Sequence, residues 1–152
     1  MNNLFDLTGK TALITGAGGL LGPKHAEAII EYGGKVIMTD HHLDRAQGKA
    51  KHLNEKFGSG SAIAYYMDVT DSESVKHVAD SCDKVDILIN NAAKDPKVKK
   101  EAGLTPSSRF ETMTPEYWNA GLDAALNGTF YCSQAFGNKM LQHGGGVILN
   151  VS

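Results

Sequence analysis

The chain has 152 residues, of which 41% are hydrophobic and 21% are charged, and its formal net charge at pH 7 is −2. This length and composition predict one soluble globular domain with a sizeable core, residues 1–152, and no second domain. The small net charge excludes nucleic acid and anionic membranes as partners that bulk electrostatics would attract.

The sequence also carries no membrane, export or metal signal. No apolar run approaches ~18 uninterrupted residues, and the opening MNNLFD lacks a basic region followed by an apolar stretch. We therefore expect a cytoplasmic protein. Cys82 and Cys132 are far apart, without a CxxC pattern or a nearby His cluster, which predicts buried free thiols and no metal site.

The first predicted elements are a strand, a glycine turn and a helix. The run 11–15 is short, apolar and rich in β-branched residues, as buried parallel strands are. Glycines follow at positions 16, 18, 19 and 22. The helix is predicted over 23–32, where Pro23 suits a first turn and Gly33-Gly34 ends the pattern. The alternative interpretation is a tight connection that binds nothing.

Together with Asp40, this turn predicts a dinucleotide pocket. Glycines lack Cβ and let the backbone approach a pyrophosphate, and the N–H groups at a helix start attract the anion. Asp40 closes a second apolar strand, 35–39, at roughly the 20-residue offset where an acidic side chain meets the adenosine ribose. Its carboxylate would repel a 2′-phosphate by up to ~4 kcal/mol at about 4 Å and an effective dielectric near 20. The sequence therefore predicts NAD in preference to NADP.

The histidines that follow Asp40 leave two interpretations open. Protonated imidazoles at His41 and His42 would soften the repulsion of a 2′-phosphate. Solvated histidines in a turn would not, and this second interpretation is the one that the sequence favours.

Strands and helices go on alternating after Asp40. The pattern predicts a helix over 43–57, a strand over 62–67, a capped helix from Thr70 to about Cys82, a strand over 85–89, a helix over 114–143 and a strand over 147–151. This alternation predicts an α/β fold with a doubly wound parallel sheet of order 3-2-1-4-5. The strand ends at Thr15, Asp40, Asp68 and Asn90 then share the rim where ligands bind in such sheets.

These motifs resemble the short-chain dehydrogenase/reductase family along the whole chain. The resemblance is carried by the glycine turn, Asp68-Val69, Asn90-Asn91-Ala92-Ala93, the helix with Trp118 and 127–130, and 146–152. It implies a Rossmann-like fold, truncated here after the fifth strand, and an NAD-dependent oxidoreductase that moves a hydride between the cofactor and an alcohol or ketone. It also implies a small-molecule substrate, for which an anionic and a sugar-derived compound are both open, and a homo-oligomer when the protein is complete. The implied cofactor residues are Thr15, Gly16, Gly19, Leu20, Leu21, Gly22, Asp40, Asp68, Val69, Asn90 and Ala92.

Three departures from the family pattern bear on function. Leu20 stands where the common form of the family has glycine. The remaining spacing, TGxxGxxG, is typical of extended members, which act on nucleotide sugars, whereas the later motifs are closer to the common form. A similar combination occurs in dehydrogenases associated with sialic-acid-like sugars and flagellin. Ala125 replaces the asparagine that holds a proton-relay water in the family. Asn127 is the nearest asparagine, but two residues at about 100° each turn its side chain nearly opposite to that of Ala125. No tyrosine stands four residues before a lysine, so the catalytic Tyr-x-x-x-Lys pair is absent, and Ser152 corresponds to the neighbour of the catalytic serine.

These departures leave other functions open. One alternative is a nucleotide-binding sensor or inactive interaction module. The other is a relative of nucleotide-sugar epimerases and dehydratases.

The polar segment 94–113 contains five cations: Lys94, Lys97, Lys99, Lys100 and Arg109. They form either a lid for an anionic substrate or, as we favour, a solvated loop. Trp118 is expected to pack, and the open edge of the fifth strand predicts marginal stability or self-association.

Overall fold

The computed structural model describes residues 4–94 and 109–151. In these ranges five parallel strands form one sheet in the order β3-β2-β1-β4-β5. The strands are β1 (Thr11–Thr15), β2 (Lys35–Asp40), β3 (Ala62–Tyr66), β4 (Ile87–Asn90) and β5 (Val147–Asn150). The helices are α1 (Gly22–Glu31), α2 (Leu43–Phe57), α3 (Ser72–Ser81), α4 (Pro115–Leu122) and α5 (Gly128–Gln142). The predicted fold and strand order are confirmed, while Lys97, Lys99, Lys100 and Ser152 lie outside the described residues.

The central strand β1 shows how the sheet is buried on both faces. Successive side chains of a strand point to opposite faces. Leu13 joins one apolar cluster with residues of α3 and α5, and Ile14 joins a second cluster with residues of α1 and α2. Both side chains are fully buried. The sequence of β1 is therefore a continuous apolar run rather than an alternating one.

The two cysteines lie in the cluster beside α3 and α5. Cys82 and Cys132 are buried and free, as predicted. Burial raises the pKa of the Cys132 thiol to about 12 and is also the main reason that the pKa of Cys82 is raised. Both cysteines are therefore packing residues rather than reactive thiols.

The long helix predicted over 114–143 is not α-helical throughout. A π-helical segment, Asp123–Asn127, joins α4 to α5, and the Gly128 N–H donates to the Asp123 carbonyl. The i→i+5 bonds widen the turn. The expected direction of Asn127 assumes about 100° of rotation per residue, and that value does not apply in this segment. None of the described helices has the length and apolarity needed to cross a bilayer.

β4 begins at Ile87, two residues later than predicted, and Asp86 lies just before it. The Asp86 N–H donates to the Thr11 carbonyl at 2.8 Å, and the Asp86 carbonyl accepts the Val147 N–H at 2.9 Å. Its Oδ2 accepts the Thr11 N–H at 2.9 Å, and the Lys84 ammonium lies 2.8 Å from its Oδ1. Asp86 therefore holds the starts of β1, β4 and β5 together.

β5 is the edge strand beside β4 in the sheet that the described residues form. Within the described ranges it pairs with β4 alone. Val147 is 62% exposed and Leu149 is 50% exposed. An apolar edge strand offers its unpaired main-chain groups to another chain, which is the basis of the expected self-association.

Replacing Asp86 by asparagine should lower the free energy of unfolding at pH 7 by on the order of 1 kcal/mol, because charge-assisted hydrogen bonds are lost. Burial disfavours the Asp86 charge, but the bonds from Lys84 and Thr11 outweigh it and hold the pKa below its ordinary value of 3.8. The charge therefore stabilises the fold above the unfolded pKa, and this contribution is lost as pH falls through the folded pKa. Urea unfolding should show a smaller difference between the two proteins at about pH 3 than at pH 7. An equal difference at both would contradict the role of the charge.

Leu149→Lys should weaken self-association several-fold, because a charge on an edge strand disfavours pairing with another copy. Sedimentation velocity over a range of protein concentrations measures the effect. Leu141→Lys is the matched control, since Leu141 is 76% exposed and lies near the end of α5 rather than on the edge strand. The edge explanation fails if both variants associate as the unchanged chain does.

Candidate cofactor site

Thr15 joins the end of β1 to the residues that follow β4. Its Oγ1 accepts the N–H groups of Asn91 at 3.0 Å and Ala92 at 2.9 Å. Its carbonyl accepts a hydrogen bond from Asn91 Nδ2 at 2.9 Å. Because Thr15 is 1% exposed, it supports the rim from inside, with the predicted site residue Ala92 directly beside it.

The glycine turn brings main-chain segments closer than side chains allow. Gly16 has a φ of +61°, and a Cβ there would lie 2.9 Å from Ala92 Cα. A Cβ on Gly22 would lie 2.5 Å from Ala17 Cα. Both positions need glycine, because packed backbone cannot move aside as the end of a side chain can. Gly19 closes the turn by donating its N–H to the Gly16 carbonyl at 3.1 Å.

The start of α1 presents open hydrogen-bond donors. In the described residues, no partner is found for the N–H groups of Leu20, Leu21 and Gly22. Leu21 precedes the helix without a side-chain cap, and the first turn contains no acidic residue. Both leucines are exposed. Open N–H groups at the positive end of the helix dipole suit an anion such as a diphosphate.

Asp40 is fixed beside the glycine turn. Its Oδ2 accepts the Gly18 N–H and its Oδ1 accepts the His42 N–H, each at 2.9 Å. These bonds orient the carboxylate, which is almost entirely buried at the end of β2. Gly18 is missing from the predicted site, although a Cβ there would lie 2.9 Å from Asp40 Oδ2. The signal in the sequence that would have identified Gly18 is its position among the four glycines of the turn.

Asp68 and Val69 follow β3 at the same rim. Asp68 Oδ1 accepts the Thr70 N–H at 2.9 Å and the Thr70 hydroxyl at 2.8 Å. Val69 is 9% exposed, and a Cβ on Gly128 would lie 2.8 Å from Val69 Cγ2. The start of α5 therefore packs directly on Val69. Sequence reasoning did not pair these residues, although Gly128 belongs to one of the motifs that carry the resemblance.

Asn90 supports the rim from below. It is 4% exposed, and its Nδ2 donates to Asn150 Oδ1 at 2.8 Å and to Ser133 Oγ at 3.1 Å. Its Oδ1 is buried without a hydrogen-bond partner among the described residues. Asn90 therefore links β4 to β5 and α5, and its amide is directed into the interior.

Lys94 and Arg109, the two cations of the polar segment that the structure describes, have local partners. The Lys94 ammonium lies 4.9 Å from the Tyr117 ring centroid, and Arg109 pairs with Glu111 at 3.4 Å. Trp118, which was expected to pack, is 52% exposed. These contacts fit a solvated loop for the two described cations, and a lid made with the lysines outside the described residues stays a hypothesis.

The helix position expected to hold a relay water carries no polar side chain. Ala125 lies in the π-helical segment and is exposed. Asn127 is also exposed, and its Nδ2 donates to Asp123 Oδ1 at 2.8 Å. Neither residue offers a free amide in place of the asparagine that the resemblance implies.

A family model described as short chain dehydrogenase matches residues 10–152. The chain belongs to the short-chain dehydrogenase family. It is 34% identical to the D-threitol dehydrogenase of Mycolicibacterium smegmatis, over 97% of this chain and 54% of that protein. It is 29% identical to the NAD-dependent glycerol dehydrogenase of Listeria innocua, again over 97% of this chain and 54% of the relative. The chain spans about half the length of these relatives.

A solved structure agrees with this assignment. The crystal structure of a short-chain type dehydrogenase/reductase from Mycobacterium marinum matches with a TM-score of 0.80 at 31% identity, over 95% of this chain and 56% of that one. The Rossmann-like architecture of this short-chain dehydrogenase chain is therefore confirmed, up to and including β5.

The close approach at Gly22 should make this short-chain dehydrogenase chain sensitive to one methyl group. Gly22→Ala should lower the free energy of unfolding by about 1–3 kcal/mol, because the start of α1 has to move away from Ala17. Gly48→Ala is the matched control, since a Cβ there meets nothing within 4 Å in the middle of α2, and it should stabilise by about 0.5–1 kcal/mol. Denaturant unfolding measures both. If Gly22→Ala is as stable as the unchanged chain, the contact does not constrain the turn.

Proposed function

We propose that residues 1–152 form one dinucleotide-binding domain of an NAD-dependent oxidoreductase. The observation that carries the proposal is the Asp40 carboxylate, held 2.9 Å from the Gly18 nitrogen beside the open start of α1. A carboxylate in this position accepts hydrogen bonds from ribose hydroxyls and repels a 2′-phosphate. The name of the Listeria relative, an NAD-dependent glycerol dehydrogenase, supports the same choice of cofactor.

The residues present fit NAD in shape and charge. The three open N–H groups of 20–22 would hold the diphosphate, and Asp40 would hold the adenosine ribose. Asp68 and Val69 would border the adenine. The remaining members of the proposed site shape or support the turn and the rim, and they are Thr15, Gly16, Gly19, Asn90 and Ala92. When bound, NAD supplies the hydride acceptor or donor.

We expect the described residues to bind and orient the cofactor, whereas the sequence contains no Tyr-x-x-x-Lys pair to move the substrate proton. None of the five tyrosines stands four residues before a lysine, and Ala125 has no group that holds a relay water. A lysine beside a tyrosine would lower the tyrosine pKa enough for proton exchange near neutral pH. We therefore expect these 152 residues to bind NAD without turning over a substrate, and we assign hydride transfer to a longer chain that carries the pair.

The proposed substrate is a polyhydroxylated alcohol or its ketone. Relatives named for threitol, glycerol and sorbose support this class, and it agrees with the expectation of a sugar-derived substrate. An anionic substrate, a homo-oligomer and a cytoplasmic location stay predictions of the sequence.

An inactive nucleotide-binding module is the second candidate. It is favoured by Ala125 and by the Asn127 amide, which already bonds to Asp123. The complete reading frame distinguishes the two, because an inactive module has no need of a Tyr-x-x-x-Lys pair and an enzyme of this family does.

Asp40→Ala should narrow the difference between NADH and NADPH binding by about tenfold or more, because the repulsion of the 2′-phosphate is removed. Fluorescence titration of both nucleotides measures the two dissociation constants. Asp80→Ala is the control, since it removes an exposed carboxylate from α3 and should leave the ratio unchanged. An unchanged ratio in Asp40→Ala refutes the assignment of Asp40, and a chain that binds neither nucleotide refutes the proposed function.

A further inference from the structure

His41 lies beside the carboxylate on which the proposed function depends. Its Nδ1 is 3.4 Å from Asp40 Oδ1, and the His41 side chain is 63% exposed while that of Asp40 is 7% exposed. The rings of His41 and His42 pack against each other with centroids 4.0 Å apart. His41 is therefore open to solvent and also lies beside Asp40.

No permanent cation neutralises the Asp40 carboxylate among the described residues. Both of its oxygens accept main-chain N–H groups, from Gly18 and His42, and its one ion-pair partner there is the His41 imidazole. Imidazole is the side chain that ordinarily changes its charge between about pH 5 and 8. A proton on His41 would therefore take the local charge from negative to about neutral and would put a cation 3.4 Å from the Asp40 carboxylate.

Two neighbouring elements carry the other charged or titratable groups on this part of the rim. Carboxylates, guanidinium groups and phenols ordinarily keep one charge state between about pH 5.5 and 8. The groups of this kind at the start of α2 and the end of β3 are Asp44, Arg45, Tyr66 and Asp68. His42 is the other titratable group at hand, and its ring packs against that of His41.

We propose that His41 makes the cofactor specificity of this chain depend on pH. Neutral His41 leaves Asp40 to exclude the 2′-phosphate of NADP, and protonated His41 admits it. NAD has no 2′-phosphate, so it is bound in both states. The inference rests on the proposed function and adds to it a second, conditional cofactor.

Calorimetric titration of the 152-residue chain with NAD⁺ and NADP⁺ at about pH 5.8 and about pH 8 tests the proposal. The ratio of the NADP⁺ to the NAD⁺ dissociation constant should fall about fivefold or more on acidification, the size of one ion pair at about 4 Å in water. Binding is read directly, so no substrate or turnover is needed.

The 2′-phosphate of the nucleotide itself takes up a proton near pH 6. Three variants separate the contribution of His41 to the pH dependence from that of the nucleotide. His41→Gln should keep only the part of the shift that belongs to the nucleotide. His41→Lys carries its charge at both pH values and should accept NADP⁺ at both. His52→Gln, an exposed position of α2, should titrate as the unchanged chain does.

Each outcome decides between the two proposals. A larger shift in the unchanged chain than in His41→Gln supports the role of His41. Equal shifts overturn that role and leave the proposed function standing, provided that NAD⁺ binds. If neither nucleotide binds at either pH, both proposals fail.

Discussion

The close approach of main-chain segments at the glycine turn is the constraint on which the rest of the site depends. Gly22 lets α1 begin against Ala17, and Gly16 lets the end of β1 lie against Ala92. Since neither residue has a β-carbon, both close approaches are possible, and they put the start of α1 at the rim. The N–H groups of 20–22 have no partner there among the described residues. The proposed anion site is thus a property of the main chain, to which the proposed role of the Asp40 side chain adds selectivity.

Asp86 and Asp40 are two buried carboxylates at opposite ends of the strands, and they differ in the groups that surround their charge. Asp86, at the strand starts, is paired with Lys84 and Lys10, so its charge is neutralised and stabilises the fold. Asp40, at the strand ends, is held by main-chain N–H groups, and its one ion-pair partner among the described residues is an imidazole. In the proposed function this charge selects the cofactor.

Local patterns predicted most of the fold and failed where distant contacts intervene. The bounds of β1 and α2 are those predicted, because apolar periodicity and the flanking glycines are local signals. β4 starts later than predicted at the point where Asp86 bonds to Thr11, 75 residues away. The prediction of one long helix assumes a uniform turn of 3.6 residues, so it does not place the π-helical segment, whose i→i+5 bonds make a wider turn.

The sequence by itself determined the order of the elements, the parallel sheet with its strand order, and a rim that carries Thr15, Asp40 and Asp68. Only the tertiary structure decided that Gly18 holds Asp40 and that Gly128 packs on Val69. These contacts join residues that are far apart in the chain. Propensity and spacing act within a few residues, so they place a side chain on a strand end but do not determine which distant group it meets there.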